Sequence, residues 1–490
     1  HSIDKGEPMT TRALSFAIPL LLASLALPAT QAGAQAPSIR PGMPPEVLSL
    51  RTTILSKDDY SRLADQWRAY TKEHPTEAIG FVQLYRAMRY GNQGSQEERE
   101  GILRKALEVG PDCPEALEQM AGWTHAYTQD RAEGMGLARR AVELAPAWAE
   151  PHFILTSFAA AEGKTAEVRA NLRAILEKGG MASPVLDFGH NLLVSAEPNA
   201  IVFTNGDNDT YAPMALQAVR GFRPDVAVVN LSLLNIDAYA VNVWKAATWT
   251  PPPFTEASIR EHLTAWQEGK VGKGRPFSHV LLQDLVERVR SGQWTGPVYM
   301  AVTVAPNFLD LAKGHSRIEG LLWRVMPDSW EPPQGSDREK PIEGPRTLDL
   351  FRNAFRLDSA TDLAYPWGPK SSVGMLMTNY PALLQAAAAD AAGARLLAGA
   401  VPLRAHGRSC VQALEVEEPG GRHAVYYPMV YRQAQRHDRP DGYPAVNHYR
   451  PVKNAARLHQ RHLGMVENGC AYRPTPAIGA GVRQGDSAAM

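Results

Sequence analysis

A short sequence motif recurs in this chain at nearly constant spacing. It reads ALEVGP at 106–111, AVELAP at 141–146 and AILEKG at 174–179. The intervals are 35 residues (141 minus 106) and 33 residues (174 minus 141). A repeat of this length holds one pair of helices, and one pair alone cannot bury its apolar face. The spacing therefore predicts a stack of helix pairs over residues 56–195.

The sequence between these phrases has the periodicity of amphipathic helices. Apolar side chains fall at helical intervals in one first helix and again in the next. They are Leu117, Met120, Trp123, Ala126, Tyr127, Phe153, Ile154, Phe158 and Ala161. The pattern resembles tetratricopeptide repeats, whose unit is 34 residues long. An irregular helical bundle is the alternative. A repeat surface of this kind implies a protein partner.

The amino terminus predicts export. A basic stretch at 9–12 precedes an apolar run at 13–28, and small residues follow up to Ala36. This order is typical of a cleaved signal peptide at 9–36, and the run is shorter than the roughly 20 residues of a spanning helix. A membrane anchor is the alternative. We expect a periplasmic or secreted protein whose mature chain does not span the membrane and begins with a Pro-rich linker at 37–55.

Beyond residue 195 the pattern changes to short apolar runs separated by helical stretches. The runs at 200–204, 225–234 and 296–304 are rich in β-branched residues. Strands that alternate with helices predict a largely parallel sheet, in which strands buried on both faces have continuous apolar sequences. We therefore predict an α/β domain at 196–335.

The rest of the chain is assigned by composition. Residues 336–402 combine a linker with a helical segment that begins near residue 372. Residues 403–490 lack a sustained period and are predicted to be an irregular tail. The whole chain is thus expected to be of the α + α/β class. A tetratricopeptide-like solenoid is followed by a mainly parallel α/β domain and a helical C-terminal segment.

The charge balance argues against a nucleic-acid partner. The chain has 51 basic and 51 acidic side chains, so its formal net charge is zero. Proteins that bind DNA or RNA carry a basic patch or stripe, and no such cluster is found. We expect no nucleic-acid binding.

One turn of the α/β region concentrates polar side chains where such proteins place their sites. It joins the run that ends at Thr204 to a helix expected near Tyr211, and ligands of open α/β sheets bind beyond the carboxyl ends of strands. Gly206 can take a positive φ without steric cost, and Asp209 or Thr210 can cap the helix. The candidate ligand-binding residues are Asn205, Gly206, Asp207, Asn208, Asp209 and Thr210.

Three interpretations of this turn stay open. Its side chains can bond their own backbone, as Asx turns do. Asp207 and Asp209 can instead hold a hard divalent cation through oxygen, although Gly206 precedes the acids and the calcium-loop pattern is matched poorly. The exposed amides and carboxylates can also bind a glycan or another polar ligand. No other cofactor is expected.

The sequence contains no recognised catalytic motif, so the catalytic residues are unknown and enzymatic activity is left open. The charged residues Arg317, Glu319 and Arg324 surround an apolar stretch that is predicted to be helical. Arg317 and Glu319 are two positions apart, so on a helix they would not share a face.

Three stretches carry a family resemblance: IVFTNGDNDTYAPMALQAVRGFRPDVAVVNLSLLN at 201–235, GPVYMAVTV at 296–304 and RIEGLLWRVMP at 317–327. Over residues 196–327 the chain resembles the soluble extracytoplasmic region of bacterial protein O-mannosyltransferase-like membrane proteins, a domain of unknown function. The resemblance implies an exported accessory module with its site at the NGDNDT turn. Sugar transfer in that family is assigned to a multi-span part that this sequence does not match, so transferase activity is not implied.

Two functions follow as hypotheses. The first is an exported binding and scaffolding protein, with a helical-repeat surface for protein partners and an α/β domain of unknown ligand. The second is a glycan-related enzyme, or an accessory subunit of a glycosyltransferase system, with a metal at Asp207 and Asp209.

Overall fold

The structure is a computed structural model. It describes residues 40–128, 130–245, 251–330, 341–361, 370–393, 411–418 and 421–428. The predicted signal peptide at 9–36 lies outside these ranges, as do the first three residues of the predicted linker.

Helices occupy the region in which the repeated phrases predict them, and several begin at strong capping residues. Ser56, Ser95 and Asp130 each accept a hydrogen bond from a backbone N–H three positions on, at 3.0–3.1 Å. The helices are α1 (Lys57–Glu73), α2 (Ala78–Tyr90), α3 (Gln96–Val109), α4 (Pro114–Trp123), α5 (Arg131–Leu144), α6 (Glu150–Ala161), α7 (Thr165–Glu177) and α8 (Ser183–Ser195). A π-helix at Thr124–Thr128 follows α4 directly. The prediction of helices over 56–195 is confirmed.

These helices pack in sequence order. Helix α2 packs on α3, α4 on α5 and α6 on α7, and each of the three repeated phrases forms the end of a second helix. Helix α4 also contacts α2 on one side and α6 on the other. One small core joins Tyr85 of α2 to Leu103 of α3 and to Met120 and Trp123 of α4.

The sheet has five strands and is mixed. In spatial order they are β2 (Ala227–Asn230), β1 (Ile201–Thr204), β3 (Val298–Ala301), β5 (Leu322–Val325) and β4 (Ser316–Glu319). Strand β1 pairs in parallel with β2 and with β3, so Ile201 faces Ala227 on one side and Val298 on the other. Strand β5 runs antiparallel to β3 and β4. Each of the three predicted runs contains a strand, but β4 and β5 make the sheet less parallel than predicted.

The stretch around Glu319 is a β-hairpin, and the prediction of a helix there is wrong. Gly320 makes the turn at φ 62°, where an added Cβ would lie 2.4 Å from the Ser195 hydroxyl oxygen. Residues two apart share a face on a strand, so Arg317 and Glu319 do lie side by side. The two-residue spacing of Arg317 and Glu319 fits a strand, whereas the apolar residues between the charges are compatible with a helix or a strand.

Further helices cover the sheet and continue its core. They are α9 (Asn208–Arg220), α10 (Asp237–Asn242), α11 (Glu256–Gln267), α12 (Phe277–Arg290), α13 (Pro306–Leu309), α14 (Gly344–Asn353), α15 (Ser372–Met377) and α16 (Asn379–Gly393). One hydrophobic core extends from α8 through the strands to α16, and includes Phe188, Phe203, Tyr299 and Tyr380. The predicted helical segment near 372 is thus part of this core.

The tail at 403–490 is not irregular throughout. Strands β6 (Val411–Glu418) and β7 (Gly421–Pro428) pair as an antiparallel hairpin. The Pro419-Gly420 dipeptide between them is a turn signal in the sequence, and β-branched and aromatic residues follow it. The other residues of the tail lie outside the described ranges.

Within the described parts of the chain, each helix is too short or too polar to cross a membrane.

Candidate functional site

The NGDNDT turn lies at the carboxyl end of β1, where the chain changes direction in the sheet. From β1 the chain crosses to β2 on one side, and it later returns to β3 on the other side. The loops that follow β1 and β3 therefore leave in opposite directions, which is the arrangement that opens a crevice in α/β sheets. Two hydrogen bonds bridge these loops: Thr303 donates to Asp209, and the Ala305 N–H donates to Asn205 Oδ1 at 3.4 Å.

Asp209 is directed into its own turn. It is 3% exposed, and its Oδ2 and Oδ1 accept the N–H groups of Asn205 and Gly206 at 2.9 and 2.8 Å. The Thr303 hydroxyl donates a third hydrogen bond to Oδ2. Burial raises the pKa of Asp209, while these hydrogen bonds oppose that shift.

The structure corrects the expected helix cap. Helix α9 begins at Asn208 instead of near Tyr211, and neither Asp209 nor Thr210 caps it. The Asp209 carboxylate bonds N–H groups that precede the helix, because the helix starts earlier than the sequence suggested. Gly206 does not have a positive φ.

Thr210 joins the turn to the two neighbouring strands. Its hydroxyl lies 2.7 Å from the Thr204 hydroxyl at the end of β1 and donates to the Gly206 carbonyl. It accepts a hydrogen bond of 2.8 Å from the amide of Asn230 at the end of β2. The polar side chains at the ends of β1 and β2 therefore form one network with the turn.

Asp207 is directed away from Asp209 and toward a distant part of the chain. Its side chain is 46% exposed and forms an ion pair with Arg51. The Arg51 guanidinium also pairs with Glu150, the first residue of α6, and lies over the Phe153 ring at 4.1 Å from the centroid. We call Glu150, Phe153 and Asp207 the arginine pocket. Asn208 adds a hydrogen bond of 3.0 Å to the Arg51 carbonyl.

Arg51 belongs to residues 40–55, which the sequence predicts to be part of a linker. This N-terminal segment has no helix, yet it is packed against the helices. Val47 is fully buried and lies in the core between α1 and α2. Ile54 donates its N–H to the Lys370 carbonyl at 2.8 Å, and the Ser372 N–H donates to the Thr52 carbonyl at 3.1 Å. The segment is therefore an integral part of the fold, and its Pro-rich composition is consistent with its extended conformation.

The metal hypothesis placed Asp207 and Asp209 together. Their carboxylates instead contact different partners, Arg51 for the first and the turn itself for the second. Among the residues that the structure describes, no group of three or more His, Cys, Asp or Glu is arranged to hold a metal ion. The divalent-cation hypothesis stays a prediction.

A second charged cluster surrounds Glu319, which is fully buried on β4. Arg317 donates to Glu319 Oε1 at 3.0 Å, and Arg346 Nε lies 3.1 Å from Oε2. Arg324 Nη1 is 3.5 Å from Oε1, and the Tyr299 hydroxyl is 3.5 Å from Oε2. Arg324 and Arg317 are paired in turn with Glu197 and Glu343. The charges of three arginines and three glutamates therefore cancel within the cluster, which is consistent with a structural role.

Sequence reasoning found the turn but missed its partners. Asn230 and Thr303 are polar residues within the predicted apolar runs, and in the structure they lie at or just after the ends of β2 and β3, which meet at one edge of the sheet. Arg51 has no comparable signal, because it is 156 residues from Asp207 in sequence.

Part of the chain matches a known protein family. Residues 185–261 match the family described as TMEM260-associated domain 2. The matched range includes α8, β1, the NGDNDT turn and β2. A search of curated proteins finds no match. Over these residues the chain is therefore similar to TMEM260-associated domain 2, in agreement with its resemblance to protein O-mannosyltransferase-like proteins.

Proposed function

We propose that this chain is a binding and scaffolding protein of the periplasm or the cell exterior. Helices α2–α7 would form three tetratricopeptide-like pairs that stack into a solenoid and take a protein partner. The repeated phrases at the ends of α3, α5 and α7 support this reading, and so do the contacts among α2, α4 and α6. The signal-like amino terminus supports export.

The observation that carries the proposal is the engagement of both acids of the turn by protein groups. Asp209 accepts hydrogen bonds from Asn205, Gly206 and Thr303, and Asp207 is paired with Arg51. Both oxygens of Asp209 are thereby occupied, whereas a general acid, a general base or a metal ligand would need a free oxygen directed at a substrate or cation. The geometry favours a joint that holds β1, β3 and the N-terminal segment in fixed positions.

A partner-binding residue is suggested by the π-helix after α4. Tyr127 is 48% exposed there, and its ring packs on Trp123 with centroids 4.4 Å apart. Single π-helical turns occur often at functional sites, and exposed tyrosines that rest on a rigid support are common binding hot spots.

We expect Tyr127→Ala to weaken partner capture about tenfold or more. The tagged full-length chain would be incubated with an extracytoplasmic extract of its host, and the captured proteins quantified by mass spectrometry. Met375→Ala is the matched control, because Met375 is an apolar side chain of similar exposure, 40%, outside the repeats. Equal capture by the wild type and both variants would contradict a repeat-based partner site.

A second candidate function is an accessory module of a glycosyltransferase system. The match of residues 185–261 to TMEM260-associated domain 2 favours it, since the resemblance noted in the sequence is to O-mannosyltransferase-like proteins. Co-purification of glycosyltransferase activity with the full-length chain would support this candidate. A partner set without any glycosyltransferase would count against it.

A metal titration tests the cation hypothesis for the turn. We expect Ca²⁺, Mg²⁺ and Mn²⁺ to leave the melting temperature unchanged, because Asp209 has both oxygens bonded. A cation at about a hundred times its Kd would instead stabilise the native state by about 2.7 kcal/mol. The control is Asp207→Asn: a metal-dependent stabilisation that this substitution abolishes would establish the cation site and overturn our interpretation.

A further inference from the structure

The arginine pocket has the chemistry of a guanidinium receptor. Asp207 and Glu150 pair with different nitrogens of Arg51, and the Phe153 ring covers a face of the guanidinium at 4.1 Å. Paired carboxylates with an aromatic face select arginine over lysine, because the planar guanidinium can use several donors and stack at once. The Arg51 side chain is 15% exposed, so the pocket encloses most of it.

The backbone that precedes Arg51 is held at two peptide groups by side chains of α1 and α2. Trp67 Nε1 donates to the Pro45 carbonyl at 2.9 Å, and Gln83 Oε1 accepts the Val47 N–H at 2.6 Å. Such side-chain bonds to peptide groups, with a buried apolar anchor at Val47, are the contacts by which grooves hold extended peptides. The helices therefore present an apolar site and an arginine pocket that suit residues four positions apart, Val47 and Arg51.

The contact made by Arg51 is incomplete. Its Nε is buried and has no hydrogen-bond partner, so the guanidinium does not use its full set of donors. The pocket also holds two carboxylates for one guanidinium, and the Asp207 side chain remains 46% exposed. An arginine whose backbone is not fixed by the rest of this chain could satisfy the pocket better. The intramolecular contact is thus of a kind that can be exchanged.

We propose that the arginine pocket and the adjoining groove recognise an extended segment of a partner protein, with an apolar residue four positions before an arginine. Residues 45–51 of the chain itself fill this site until such a segment displaces them. The inference rests on the proposed partner-binding function and names the chemistry of the partner. Residues 45–51 are tethered to the site and compete for it at an effective concentration on the order of millimolar. A partner segment must therefore bind the site with a Kd well below that concentration.

The test uses a fluorescent peptide with the sequence of residues 40–55 and the full-length chain. We expect it to bind an Arg51→Ala chain about tenfold or more tightly than the wild-type chain, because the competing arginine is gone. The same peptide carrying Arg51→Ala should bind at least about tenfold more weakly, and one carrying Arg51→Lys should be intermediate. Equal binding of these peptides, or no binding by a folded Arg51→Ala chain, would overturn the proposal.

A second measurement uses the wild-type chain and therefore does not require the Arg51→Ala chain to fold. Excess peptide is added to the wild-type chain, and hydrogen exchange at the Val47 amide is followed. Displacement should speed this exchange, whereas the Arg51→Ala peptide should not; an unchanged rate with both peptides contradicts the exchange of segments. The proposed function is judged separately by Tyr127→Ala. Capture that depends on Tyr127 but resists the peptide would leave the scaffold function standing and remove the arginine site.

Discussion

Replacement of Asp209 by alanine is expected to lower the free energy of unfolding by about 3–4 kcal/mol. The carboxylate accepts the N–H groups of Asn205 and Gly206 and the hydroxyl of Thr303, and alanine leaves these donors without their acceptor. Because the Thr303 bond joins the loop after β3 to the turn after β1, its loss should also loosen the edge of the sheet. Urea unfolding followed by circular dichroism measures the change.

Substitutions at two other residues distinguish the loss of these hydrogen bonds from the loss of a negative charge. Asp310→Ala, in the stretch that follows β3, removes an exposed carboxylate and should change stability by no more than about 0.5 kcal/mol. Thr303→Val should cost about 1–2 kcal/mol and Thr303→Ser much less, since serine keeps the hydroxyl. If Asp209→Ala and Asp310→Ala had similar effects, the turn would not be the joint that we infer.

The pH dependence of Asp209 has a definite sign. Burial raises its folded pKa above that of the unfolded chain, so the native state binds the proton more readily. The ionised carboxylate therefore costs stability above the folded pKa, and that cost is removed as the pH falls through it. Relative to Asp209→Asn, the wild type should gain stability as the pH falls from neutral toward the ordinary aspartate value of 3.8. Parallel stability curves would contradict this assignment.

Glu319→Ala is the second substitution with a large expected effect, a loss of about 3 kcal/mol in the free energy of unfolding. Removal of one partner from a buried ion cluster leaves uncompensated charge, which costs about 3–5 kcal/mol. We expect the lower end, because the arginines around Glu319 are 24–35% exposed and can regain some hydration. Chemical denaturation checks the value.

The control for this cluster is Glu268→Ala. Glu268 also forms an ion pair, 2.7 Å from Lys270, but its side chain is 49% exposed. Exposed pairs contribute about 0–1 kcal/mol, so this variant should remain close to the wild type. Glu319→Gln should fall between the two, since it keeps the shape and one acceptor. A loss for Glu319→Ala no larger than for Glu268→Ala would show that the cluster contributes little.

Local patterns in the sequence predicted the helices and the three parallel strands. The repeated phrases mark the ends of α3, α5 and α7, and continuous apolar runs contain β1, β2 and β3. These signals are strong because burial on one helix face, or on both faces of a strand, restricts the residues at fixed intervals. The hairpin of β4 and β5 was missed, since a short apolar stretch between charges fits a helix and a strand equally well.

The contacts of the site were less predictable than its position. The place of Asp209 after a strand indicated a site, but only the tertiary structure shows that its oxygens bond the N–H groups before α9. Likewise, Asp207 was considered as a metal ligand because its partner Arg51 belongs to a segment with no periodic signal. Ion pairs between distant segments depend on how the whole chain folds, and residue spacing does not encode them.

The N-terminal segment also affects the order of folding. Ser372 donates to the carbonyl of Leu50 across 322 residues of sequence, and Thr53 forms a bridge to Ser371. Contacts of such high sequence separation raise the contact order and require a long loop to close before they stabilise anything. Because translation starts at the amino terminus, residue 372 must be synthesised before this segment can make all of its contacts. Until then the contacts of Leu50, Thr52 and Thr53 with Ser371 and Ser372 are missing, and this part of the segment would be most open to proteases and to chaperones during that interval.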